Sequence, residues 1–159
     1  MTSLSAAMTT PVAFEYQDAE TSAAASVREQ FDVIIFVNTN WEVPLVKRIL
    51  ELERYAPNWD GYGSPPVEHE TVSRAIHLIR QVASLGIEDL PAPFVGPVAG
   101  GGVILEWLAG SRQLSIAIFP EGKVEYLKWE TGEQFEEDEL GPRPLGRLHE
   151  LVGWLARPA

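Results

Sequence analysis

Three apolar-rich stretches, residues 103–108, 112–119 and 123–129, are separated only by Ala109-Gly110-Ser111 and Pro120-Glu121-Gly122. Links of three or so residues are too short for a parallel crossover, so neighbouring strands must run antiparallel. The middle stretch alternates cleanly, with Leu114, Ile116 and Ile118 on one side and Ser115 and Ala117 on the other. A meander with one apolar face must bury that face under another layer, and helices are the partners available here.

Helical spacing supplies that layer. Asn40 can cap a helix over residues 41–55, with Pro44 in its first turn, and Pro57 ends it. Its core stripe is Leu45, Val46, Ile49, Leu50 and Leu52. A second helix spans residues 68–85, burying Val72, Ala75, Ile76, Ile79, Val82 and Ala83 and stopping at Gly86. After Pro142-Arg143-Pro144, Leu145, Leu148, Leu151, Val152 and Leu155 mark a closing helix. Residues 91–97 read as an extended, proline-punctuated run, and Gly100-Gly101-Gly102 as a flexible lead-in to the strands. A charged fourth strand at 133–137 fits only at an edge. The expected fold is therefore a single α+β domain over residues 27–159. Its three- to four-stranded antiparallel meander is packed by two or three helices on one face. Residues 1–26, rich in Ser, Thr and Ala, read as a mobile N-terminal arm, within which 11–16 alternates enough to add an edge strand or dock on the core. Residues 31–37 read as a buried strand, with a helix starting near Ser26 as the alternative.

At 159 residues and 45% hydrophobic content, the chain has material for one core. Its formal charge of −11, from 23 acidic and 12 basic residues, repels phosphate backbones and anionic lipid. Direct nucleic-acid and membrane binding are therefore disfavoured, and a basic protein partner is favoured. The absence of cysteine removes disulfides, thiolate chemistry and sulfur-ligated metals. The apolar run at 33–37 is too short to cross a bilayer, and the N-terminus lacks the pattern of a secretory signal. These features point to a bacterial-type cytoplasm; the oligomeric state is not encoded in any pattern here.

The densest candidate site is the loop Asn58-Trp59-Asp60-Gly61-Tyr62-Gly63-Ser64-Pro65-Pro66 between the first two helices. Gly61 and Gly63 permit positive φ, Asp60 can close an Asx turn, and Trp59 and Tyr62 each offer a ring with one polar atom. The same properties suit a binding pocket and a structural plug roofing the helix junction. A buried Trp59 ring marks the plug, an exposed one the site. The second candidate is an acidic block, Glu130, Glu133, Glu136, Glu137, Asp138 and Glu139, suited to steering a basic partner or to keeping a sheet edge from aggregating. A third is catalytic: Asp60, Glu106 and Glu125 would serve a divalent-metal-dependent hydrolase if they converged. On a strand, Glu106 shares its face with Ile104 and Leu108, and Trp107 shares the other with Val103 and Leu105. His69 and His77 are eight residues apart and His149 lies on another element, so no histidine pair has metal-ligand spacing. No G-x-S-x-G motif occurs, and the glycine triplet lacks a P-loop lysine.

Trp59-Asp60-Gly61-Tyr62-Gly63 followed by Pro-Pro, then Leu105-Glu106-Trp107, then Pro120 and Gly122 ahead of Val124-Glu125-Tyr126, resembles a group of small uncharacterised bacterial proteins. The resemblance spans roughly residues 48–130. It implies a shared domain and a bacterial origin, and carries no activity with it. The expected function is that of a small acidic cytoplasmic interaction module, an adaptor or neutralising partner of a basic protein, without cofactor or metal. Trp59, Asp60, Tyr62, Glu133, Glu136, Glu137, Asp138 and Glu139 are its binding residues.

Overall fold

Residues 41–157 are described by a computed structural model. The expected arm, the 11–16 stretch, the 31–37 run and the Asn40 cap lie outside the described residues. Those described belong to one compact unit, Asn38–Ala159.

Helix α1 (Glu42–Glu51) begins where the Trp41 carbonyl accepts the Leu45 N–H at 3.1 Å. Leu45, Ile49 and Leu52 recur at helical spacing and are buried, whereas Leu50, expected in the core stripe, is 45% exposed and falls outside it. The helix tightens into a 3₁₀ turn at Leu52–Arg54, and Tyr55 is already extended two residues before Pro57. Helix α2 (His69–Ser84) buries Thr71, Val72, Ala75, Leu78, Ile79, Val82 and Ala83. It ends at Gly86, whose φ of +62° and N–H bond to the Ala83 carbonyl make the C-terminal stop.

The sheet has five strands rather than three or four: β1 (Phe94–Val98), β2 (Gly102–Ala109), β3 (Arg112–Ile118), β4 (Val124–Glu130) and β5 (Glu136–Glu139), antiparallel throughout and in sequence order. The additional strand is β1. Pro97 hides it in the sequence, yet proline is tolerated on an edge strand. The glycine triplet is its hairpin to β2 and no flexible lead-in: Gly100 and Gly101 adopt φ of +85° and +81°, and Val98 pairs with Gly102. The acidic strand begins three residues later than expected, at Glu136.

Register places Val95, Leu105, Ile116 and Tyr126 in one row across the inner face, flanked by Val103 opposite Ile118 and Trp107 opposite Leu114. These residues are buried, and α1, α2 and α3 (Leu145–Ala156) cover them. Helix α3 buries Leu148, Leu151, Val152 and Leu155 but leaves Leu145 exposed. Arg112 ties it to the sheet, donating from Nη1 to the Trp154 and Arg157 carbonyls at 2.8 Å. Its Nε stands 3.1 Å from Glu130 Oε2, a charge contact without hydrogen-bond alignment. The Trp154 ring lies near both Arg112 and Lys128, whose cationic groups sit 5.2 and 4.8 Å from its centroid. No helix among the described residues is long and apolar enough to cross a membrane.

Candidate functional site

The aromatic loop closes on itself. Asn58, at φ +63°, bonds through its N–H to the Ser64 carbonyl at 2.8 Å, and its Oδ1 accepts the Gly63 N–H at 2.7 Å. Asp60 Oδ1 accepts the Tyr62 N–H at 2.9 Å and the Ser64 N–H at 3.2 Å, while Oδ2 accepts the Ser64 hydroxyl at 2.5 Å. Gly61 and Gly63 take the positive φ these bonds require. The Ser64 hydroxyl, followed by the Tyr62 amide, holds the Asp60 carboxyl below the usual carboxylate range. Asp60 is thus the internal brace of a turn.

The two rings part company. Trp59 is half-buried, packs edge-to-face on Tyr55 at 5.7 Å, and has its indole N–H closed off from solvent with no acceptor among the described residues. Tyr62 projects outward, 94% exposed. One ring therefore behaves as a plug and the other lies free, an outcome between the two expectations. Pro65 and Pro66 seat the loop against the β1–β2 hairpin, where a Cβ on Gly101 would stand 3.0 Å from the Pro66 carbonyl.

A depressed native pKa means that ionised Asp60 stabilises the loop above the ordinary carboxylate pKa, and that this contribution disappears as pH falls through the lowered native value. Ser64→Ala removes the largest cause, so the Asp60 titration should move up toward the ordinary range. Carboxyl NMR against pH reads this directly, and an unmoved midpoint would rule out the hydroxyl as the cause.

The acidic block divides by strand alternation. Glu136 stands opposite Lys128, accepts from Lys128 at 3.3 Å and from the Tyr126 hydroxyl at 2.9 Å, and pairs with Arg147 from α3. Arg147 also donates to the Tyr126 oxygen at 2.7 Å and pairs with Glu150. The Tyr126 hydroxyl, more than any other contact, holds Glu136 below the usual range, and burial pushes the Tyr126 phenol up. Glu136 is thus committed to docking α3. Glu133 is exposed in the β4–β5 turn. Glu137, Asp138 and Glu139 are exposed on β5 and form no ion pair among the described residues.

Glu106 and Glu125 both lie on the outer face, Glu106 opposite Ser115 and Glu125 between Ala117 and Glu139. Glu106 receives the Ser115 hydroxyl at 3.3 Å, and Glu125 pairs with Lys123, raising the lysine's pKa. They line one shallow groove of about 740 Å³, which Asp60 does not reach. Among the described residues no three His, Asp or Glu side chains are grouped to hold a metal ion. His69 lies on the surface, 2.8 Å from Glu53, and His77 and His149 are exposed.

Sequence reasoning missed the Tyr126–Glu136–Arg147 network and the apolar members of the outer face, Ile104, Ala117 and Leu127. The latter were signalled by the alternation that placed Ile104 beside Glu106. No protein-family model, curated protein sequence or solved structure matches the chain.

Proposed function

We propose that this chain is a small, acidic, non-catalytic interaction module of the bacterial cytoplasm that binds a basic protein partner. The observation that carries the reading is β5, an edge strand whose four consecutive acidic residues are all exposed and of which only Glu136 is matched by cations among the described residues. Unmatched carboxylates on adjacent positions repel one another, and a cationic partner relieves that repulsion while the same field speeds its approach. Tyr62, projecting from a braced loop, is a candidate second contact, because a rigid exposed ring can be buried by a partner at small entropic cost.

The test is capture of the partner by the full chain, followed by titration of the identified complex. Affinity should fall about tenfold or more between about 0.1 M and 1 M salt, as the screening length shrinks from about 10 Å to about 3 Å. Charge reversal at Glu137, Asp138 and Glu139 together should abolish the complex. A complex indifferent to both salt and reversal would refute the reading.

A further inference from the structure

Helices cover the inner face of the sheet, and nothing among the described residues covers the outer one. A solvent-facing sheet surface is ordinarily polar, with charges of both signs. This one combines an apolar floor with charge almost entirely of one sign. Ile104, Ala117 and Leu127 form its floor, while Phe94, Leu108 and Trp129 stand at its margins, 56%, 68% and 38% exposed. Its charge is equally one-sided. Glu106, Glu125, Glu137 and Glu139 line the groove against a single cation, Lys123, while Asp138 stands opposite Tyr126 on the inner side of β5. Glu125 stands directly opposite Glu139 across the β4–β5 ladder, a like-charge pairing that weakens a sheet unless a cation intervenes. Lys123, paired with Glu125, offsets only part of it.

We infer that this face is the docking surface for a basic amphipathic helix of a protein partner. The inference rests on the interaction-module reading and specifies where and how the partner sits. A strand would add at an edge; a face of pleated side chains takes a helix, as the inner face already does. Five strands about 4.8 Å apart present about 19 Å of width, which a helix of about 14 residues crosses. Its apolar stripe lies over Leu127 and Ile104, and its lysines or arginines reach Glu106 on one side and Glu137 and Glu139 on the other. Burial of the floor supplies affinity, and the carboxylates select against acidic and neutral helices.

The probe is a fluorescein-labelled peptide of about 18 residues with Leu on one helical face and Lys on the other, titrated into full-length protein by anisotropy. A second peptide carries Ser in place of Leu. The Leu/Lys peptide should bind, and the Ser/Lys peptide should bind about tenfold more weakly or worse. Leu127→Lys and Ile104→Lys, each checked by circular dichroism for an intact fold, should each weaken binding about tenfold or more. Leu145→Lys, an exposed position on α3, should leave binding unchanged. If both outer-face substitutions leave binding intact while reversal of Glu137 and Glu139 removes it, face docking is overturned and the acidic-module reading stands. Failure of the Leu/Lys peptide to bind at all also overturns face docking, and the capture experiment above then decides the module reading by itself. Self-association that Leu127→Lys abolishes would assign the face to a second copy of the chain and equally overturn the proposal.

Discussion

Trp107→Ala is expected to cost about 3–5 kcal/mol of folding free energy, the range for deleting a fully buried aromatic ring. Trp107 is the largest side chain with no exposed surface, placed by β2 on the inner face opposite Leu114. The residues that share its core cluster are fixed by their elements, Leu105, Leu114 and Ile116 by the ladder and Leu148, Leu151 and Leu155 by α3, so the space is not readily refilled. A domain of this kind has about 5–15 kcal/mol of stability in total, so the variant should unfold at far lower urea or remain unfolded at 37 °C. Trp107→Phe separates packing from polarity. The indole N–H is buried without an acceptor among the described residues, and an unsatisfied buried donor costs about 1–3 kcal/mol. Phenylalanine loses volume but also removes that donor, so its penalty should be well under half that of alanine. Equilibrium urea unfolding followed by circular dichroism distinguishes the two. An alanine variant within about 1 kcal/mol of the parent would contradict the inner-face placement of Trp107.

Gly102→Val is the second large effect, for the opposite reason. A Cβ at Gly102 would stand 2.6 Å from Val98 Cγ1 and 2.7 Å from the Ile118 carbonyl oxygen. The carbonyl belongs to the backbone of β3, so the clash is relieved only by parting β2 from β3 at the end where β1 also pairs. Overpacking of a close-packed site costs about 1–3 kcal/mol, and valine, with two further methyl groups, should reach the top of that range. Alanine should cost less but stay clearly destabilising. Gly153→Ala on α3 is the matched control: nothing lies within 4 Å of its Cβ position, and alanine there should stabilise by about 0.5–1 kcal/mol through helix propensity alone. Melting curves of the three variants should therefore spread in both directions around the parent. If Gly102→Val melted with the parent, the tight β1–β2–β3 junction would be wrong.

The strands β2 to β4 were legible because each is joined to the next by a short link, which restricts both direction and partner. Leu114, Ile116 and Ile118 announced their face by alternation alone, and they are buried on it. The capping role of Asp60 was legible on the same principle, since an Asx turn involves only the next few residues. Strand β1 was not. Pro97 argues locally against a strand, and only the β2 backbone beside it makes an edge strand the best solution. Helical periodicity found α1 but placed Leu50 inside, because a stripe drawn from spacing is wider than the surface the sheet actually offers. The loop shows the same limit: Trp59 and Tyr62 are chemically alike in the sequence, yet one packs on Tyr55 and the other points to solvent.

The linear order of residues determined on its own the antiparallel run of β2 to β4, the three helices, the inner and outer sides of β2 and β3 and the acidic sign of the surface. All of these follow from interactions spanning a few residues or from charge simply summed. Only the packed structure decided that Glu136 would bind Tyr126 and Arg147 while Glu137 and Glu139 stayed unmatched, and that Ile104, Ala117 and Leu127 would meet as one open floor beneath four carboxylates. Those outcomes depend on which distant segments come to lie side by side, and that choice is made by burial of the whole inner face at once rather than by any segment's own preference.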